Sequence, residues 1–485
     1  MRAIMSSLIN FSNKLAQQVR PYHFYFLMVI YVLASFVFQD GGIIHPEIGI
    51  RTPVYLSGRP LLETIFDPNV MEIQGKYRPR QLSYFFDFLD AKFIEWSIVN
   101  GLPHFLSLTH YAGCLLIAML LWRFLIKNLK LEMFASLCIL ALFFFSPGPF
   151  LAVSFFRSAK IGVALMLCIL FILIWPQIRI DNNLESQYPF GSPKKIMIFL
   201  CAVAASLFDE QGFFVVCLAA FFSWLHYENT KSKHFLSIAM VFAMVAIFIL
   251  IYNYYLSPLI IYHLNGYYPD FHYQFSLPWE RVFSLFFLQQ AILFLIDNLR
   301  FFLGNLTQLQ AAFVLVAMGW LNDLKLKKIG NNNLNEKRQR NLSAYIPGPR
   351  LYFPLILIGL VILNLVMVAR HPLISIGAAY YWLPVLTILV IITSLVVNFA
   401  FDCGPDTKAI LRLGLIIMIL GNLAGLPEQA SIMSSRSVNE RIYTVRMLDA
   451  LWNMNDTTHQ EHSSLKTDPL LAHFKKVMTA NQGHK

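Results

Sequence analysis

At 485 residues, with 57% hydrophobic and 13% charged side chains and a mean hydropathy of +0.57, the chain lies far below the roughly 25% charge of soluble domains. That excludes a soluble enzyme. A net charge of +11 would point a soluble protein toward nucleic acid, but no basic stretch here is interleaved with stacking aromatics. Much of the excess sits in short connectors between apolar stretches, where Lys and Arg set orientation against a membrane, so no nucleic acid is expected as a partner.

The chain reads as an all-α, polytopic transmembrane helical bundle of about eleven spans, because a hydrocarbon core about 30 Å thick demands about twenty apolar residues per helix. Helices are predicted at 23–39, 104–126, 131–156, 161–176, 196–208, 212–226, 235–255, 303–322, 352–369, 379–400 and 409–425. The first follows a weakly basic start (Arg2, Lys14, Arg20) and has no small-x-small cleavage site before Asp40, so a retained span is expected rather than a signal peptide. The stretch 282–302 is apolar but interrupted by Gln289, Gln290, Asp297 and Arg300. It is expected to lie in, or re-enter from, the outer interface.

The basic connectors alternate with the spans: Arg123, Lys127 and Lys130; Arg179, Lys194 and Lys195; Lys231 and Lys233; the run Lys325 to Arg350; Lys408 and Arg412. All five fall on the side of the N-terminus, which the positive-inside rule makes cytoplasmic. The C-terminus is then outside, in a multi-pass protein; a bacterial inner membrane is the expected location, and a eukaryotic endoplasmic reticulum would show the same pattern. Residues 1–425 form the transmembrane domain, with 40–103 as its first outer loop, and 426–485 an outer tail. That tail has a capping box at Ser437-Val-Asn-Glu440, followed by a short amphipathic helix.

Spans 196–208 and 212–226 are short and flank Asp209-Glu210-Gln211-Gly212, which predicts a helical hairpin with acidic residues at its outer tip. The six cysteines form no CxxC pair, and His45, His104, His110, His263, His272 and His371 form no HxxH or HExxH spacing, so neither a disulfide framework nor a metal site is indicated by them. Nucleotide-binding and serine-hydrolase motifs are likewise missing from the sequence, and no cofactor is expected.

The first outer loop carries the chemistry. It opens on Asp40, and after Pro79 the positions Leu82, Phe85, Phe86, Leu89, Phe93 and Ile94 repeat at helical spacing, with Asp87, Asp90 and Glu95 largely off that face. An interfacial helix with Lys76, Arg78 and Arg80 at its start is expected. Cations at a helix start, where backbone N–H groups also point outward, make an anion site, and phosphate is the natural ligand at that depth; the alternative is snorkelling to ordinary head groups. A carboxylate and a cationic cluster on one membrane face are what is needed to deprotonate an acceptor hydroxyl while holding a phosphorylated donor.

This arrangement resembles the GT-C superfamily of integral-membrane glycosyltransferases. In that superfamily an acid just outside the first span is the base, the first outer loop carries interfacial helices, and later loops bring cations to a lipid phosphate. Asp40 matches the first position and residues 82–94 the helix, while Tyr77-Arg78-Pro79 is similar to a Tyr-Arg-Pro of O-mannosyltransferase relatives. Asp209-Glu210-Gln211-Gly212 resembles an acidic turn at the outer end of a middle span, and Arg370-His371-Pro372 with Tyr380-Tyr381-Trp382-Leu383-Pro384 an aromatic-proline entry to a late span.

The resemblance implies transfer of a sugar from a polyprenyl-phosphate donor to a glycan, lipid or protein acceptor on the outer face. Asp40 is the base, and Lys76, Arg78, Arg80, Arg157, Lys160 and Arg370 hold the donor phosphate; Tyr77, Asp209 and Glu210 serve the acceptor. A single acid at Asp40, where several families show two, argues against metal there. Two rivals are weighed. A polysaccharide polymerase or ligase places its key arginines in a late outer loop, and a lipid or glycolipid transporter calls for ionisable residues at the bilayer midplane.

Overall fold

The computed structural model describes residues 2–38, 55, 59–67, 79–99, 108–146, 148–149, 158–178, 192–269, 284–303, 359, 362, 382–401 and 404–425. Helix accounts for 90% of them and none is in a strand. Among the described residues four helices are long and apolar enough to cross a membrane, which makes this a membrane protein. The expected span at 303–322, most of that at 352–369, and the tail from 426 lie outside the described residues.

In chain order the helices are α1 (Arg2–Gln18), α2 (Tyr22–Phe38), α3 (Leu61–Ile65), α4 (Gln81–Val99), α5 (Leu108–Arg123, continuing as a π-turn Phe124–Asn128) and α6 (Met133–Phe144). They continue as α7 (Ser158–Ile178), α8 (Ser192–Phe208), α9 (Glu210–Thr230), α10 (Lys233–Asn265, with a π-turn at Tyr252–Leu256), α11 (Leu285–Leu303), α12 (Leu383–Phe401) and α13 (Pro405–Gly425).

Several bounds differ from expectation for local reasons. The third apolar stretch ends its helix at Phe144 rather than near 156, because Pro147 and Pro149 follow and each bars continuation of the i to i−4 ladder. The hairpin helices α8 and α9 are longer than 196–208 and 212–226. The first gains a turn through Ser192-Pro193, where Pro stands without cost because its N–H would be unsatisfied anyway. Residues 2–18, expected only as a basic start, form a helix of their own.

Two apolar clusters share α7. In the larger one, Ile161, Ala164 and Cys168 of α7 meet side chains of α2, α5, α6, α11, α12 and α13. In the other, Leu170 of α7 meets α8, α9 and α10 through Ile198, Ala202, Phe213, Val216, Phe242 and Val245. Burying each of these aliphatic and aromatic side chains against a neighbour maximises close contacts that lipid tails fill less well. The α8–α9 hairpin is tight because residue 212 lacks a side chain: a Cβ there would come within 2.0 Å of the Ala205 carbonyl oxygen. We expect Gly212→Ala to lower stability by about 1–3 kcal/mol through overpacking, read as a lower midpoint of thermal unfolding in detergent; an unchanged midpoint would show that the hairpin opens freely.

The antiparallel course puts two sets of polar contacts at opposite ends. At one end Glu132 accepts from Arg412 at 2.7 Å and pairs with Lys408 at 3.0 Å, while Arg412 donates to Asn13 at 2.7 Å and Ser12 to the Ala409 carbonyl at 2.8 Å. This is the end of Lys127, Lys130, Lys194, Lys231 and Lys233. At the other end α3 docks on the tip of α10: Asp67 accepts from Arg59 at 2.8 Å and Tyr267 at 2.6 Å, and Asn265 donates to the Phe66 carbonyl at 3.1 Å.

Candidate anion site at the Asp209 end

Asp209 is the N-cap of α9. Its backbone is extended, and its Oδ1 accepts the Gln211 N–H at 3.1 Å, satisfying one of the four backbone donors a helix start leaves open. The same Oδ1 accepts from Lys160 Nζ at 2.8 Å, and Oδ2 from Arg80 Nη1 at 3.4 Å. All three side chains are largely withdrawn from solvent, at 3%, 7% and 13% exposure for Asp209, Lys160 and Arg80.

Small residues set that approach. Gly162, two residues beyond Lys160, faces the Phe208 ring, where a Cβ would come within 2.2 Å. Together Gly162 and Gly212 let α7, α8 and α9 close around Asp209. Arg80 immediately precedes α4, its carbonyl accepting the Tyr84 N–H at 3.1 Å, and its guanidinium lies 5.7 Å from the Tyr84 ring centre, within cation–π range.

The starts of three long helices, α4, α7 and α9, therefore meet at one place, where Arg80 and Lys160 share the Asp209 carboxylate. Each helix start carries about half a positive charge in partial charges on its open N–H groups. Arg80 and Lys160 share the Asp209 carboxylate, and the helix starts add their partial positive charge, an arrangement able to hold an anion.

From there a line of polar groups follows α4. Gln81 donates to Ser257 at 3.3 Å, Ser83 meets Ser158 at 3.2 Å, and Ser158 donates to Asp87 and to the Ser83 carbonyl. Further on, Asp90 accepts from Thr109 and lies 3.5 Å from His110 Nδ1. Gln81, Ser83, Tyr84, Asp87, Asp90 and His110 are buried, whereas Phe86, Leu89 and Trp96 are exposed.

The two faces of α4 are those expected from the spacing, but its polar face is the one turned into the bundle. In a membrane protein the outer solvent includes lipid, so polar side chains turn inward to find partners. Asp87, Asp90, Ser158, Thr109 and His110 were therefore missed as site residues, although acids three apart on a helix of this apolar chain were a signal.

Of the expected site residues, the structure brings Arg80, Lys160 and Asp209 into one cluster. It makes Glu210 the partly exposed first residue of α9. Asp40, Lys76, Tyr77, Arg78, Arg157 and Arg370 lie outside the described residues. Among the described residues no three His, Cys, Asp or Glu side chains gather closely enough to hold a metal ion. Comparison of the chain with protein-family models, curated proteins and solved structures found no match.

Proposed function

We propose that this chain is an integral-membrane glycosyltransferase of the GT-C kind, moving a sugar from a polyprenyl-phosphate donor to a glycan, lipid or protein acceptor. The observation that carries the reading is the meeting of Arg80, Lys160 and three helix starts around Asp209. A polyprenyl phosphate is a good leaving group that needs charge neutralisation more than a general acid, and a fixed cationic cradle supplies that without reorganisation. Asp209 keeps the cations compensated when no donor is bound. Asp40 takes the proton of the acceptor hydroxyl as it attacks the anomeric carbon, with inversion, and the electron pair of the broken C–O bond leaves on the phosphate.

The reading places about eleven spans in a bacterial inner membrane, N-terminus cytoplasmic and C-terminus outside. The Glu132 end, rich in Lys and Arg, faces the cytoplasm and the Asp209 end the outer face. A cysteine introduced at exposed His263 should react with an impermeant maleimide from outside and one at exposed Asn229 only after permeabilisation; the reverse pattern would invert the protein.

The site itself is tested by donor capture. Arg80→Ala and Lys160→Met should each weaken binding of a polyprenyl-phosphate sugar by roughly 10- to 100-fold, the loss of a charge-assisted contact of about 1.5–3 kcal/mol. Lys92→Ala, at an exposed position on the same helix α4, should not. Equal affinity in all four proteins would return these cations to a structural role.

A further inference from the structure

Helix α1 lies at the end of the molecule opposite the Asp209 cluster, and its surface is not accounted for by the bundle. Ser12 is buried, and Leu15, Ala16 and Val19 pack against the larger apolar cluster, the three-to-four spacing of one helix face. Phe11, four residues before Leu15 on the flank of that face, is 55% exposed, and Leu8, four before Ser12, is 36% exposed. Asn10, Lys14 and Gln17, on the other side, are also exposed.

The apolar sector of α1 is thus wider than the part the protein covers. The exposed apolar surface continues into Tyr22, Tyr25 and Phe26 at the start of α2, each more than 60% exposed. Aromatic side chains gathered where a span begins mark the level of the lipid head groups.

Charge identifies what covers this surface. No aspartate or glutamate precedes Asp40 in the chain, and Lys14 and Arg20 are both exposed. Arg123, Lys127, Lys130, Lys194 and Lys231, on connectors at the same end, are all exposed. Among the described residues the acids of this end are engaged or half-buried: Glu132 is shared by Lys408 and Arg412, Glu228 pairs with Lys231, and Asp406 is half-buried.

We propose that α1 lies flat in the membrane leaflet at this end, with Phe11 and Leu8 inserted among the acyl chains and Lys14 and Arg20 on anionic phospholipid head groups. Ser12 and Asn13 latch it to α13 through Ala409 and Arg412. A wide apolar face beside a basic one, without acids, is the pattern of interfacial helices that bind anionic bilayers. Each cation near such a surface adds to the attraction of an anionic leaflet, which fixes the preference for anionic over zwitterionic lipid. The inference is independent of the glycosyltransferase reading.

The test uses the full chain in nanodiscs, with a polarity-sensitive fluorophore on Phe11→Cys or on Asn10→Cys and the unsubstituted protein as the labelling blank. Spin-labelled phosphatidylglycerol should quench the Phe11 label strongly and the Asn10 label weakly, and spin-labelled phosphatidylcholine should quench the Phe11 label less. Lys14→Gln/Arg20→Gln should abolish the difference between the two lipids. Equal quenching at both positions, or none at Phe11 because a second copy or a soluble protein covers it, would overturn the insertion. Quenching at Phe11 without a lipid preference would overturn the head-group assignment.

Discussion

Asp40→Asn is expected to reach the membrane and survive detergent extraction like the unsubstituted protein, and to transfer sugar at least about 100-fold more slowly. The exchange keeps side-chain size and hydrogen-bonding capacity and removes only basicity. In Phe38-Gln39-Asp40-Gly41-Gly42 this carboxylate is the sole group able to take a proton, and the glycines after it let backbone and substrate come close. Asp40→Glu should retain partial activity at best, since one methylene moves the base by about 1 Å, a shift to which positioned chemistry is sensitive. Donor capture should be unchanged in both variants, because the base does not hold the phosphate. Near-normal turnover of Asp40→Asn in a single-turnover transfer assay would remove the base from the mechanism.

The second large effect is on stability. Asp209→Ala removes the carboxylate that Lys160 and Arg80 share, their side chains being 7% and 13% exposed, and breaking a buried ion pair by removing one partner typically costs about 3–5 kcal/mol. It also deletes the α9 cap, worth about 1 kcal/mol. Asp209→Asn keeps the cap and should recover about that much. Adding Lys160→Met to Asp209→Asn should recover more, since it removes the buried charge that has lost this carboxylate. Thermal unfolding in detergent reads all three variants. If Asp209→Asn/Lys160→Met is no more stable than Asp209→Asn alone, Lys160 and Asp209 are not energetically coupled.

What was legible in the sequence was whatever depends on local chemistry. Apolar stretches announced α2, α5, α7, α10, α12 and α13, and Asp209-Glu210-Gln211-Gly212 announced the turn between α8 and α9. Pro147 and Pro149 were equally local signals, and they override the apolar composition that extended the third stretch toward 156. Helix α1 was hidden by polar residues such as Ser6, Ser7 and Asn10, which lower its hydropathy without breaking its spacing.

Other features depended on tertiary contacts. Periodicity divides α4 into two faces, but which face turns inward depends on what surrounds it, and that reversal carried Asp87 and Asp90 into the bundle. The meeting of Lys160 with Asp209, 49 positions apart, is produced by close approach at Gly162 and Gly212. Those glycines stand two and three positions from Lys160 and Asp209, but neither says which helix will close on it.

The central claim is that a lipid-linked phosphate sits in the cradle around Arg80, Lys160 and Asp209. Photocrosslinking tests it most directly, using a polyprenyl-phosphate sugar with a diazirine in the isoprenoid unit next to the phosphate, followed by peptide mapping. The account predicts crosslinks at the start of α4, around Leu82 and Phe86, and on the Lys160 and Phe208 segments of α7 and α8, competed by unlabelled donor and lost in Arg80→Ala/Lys160→Met. Crosslinks confined to the Glu132 end, or labelling that unlabelled donor does not reduce, would contradict it.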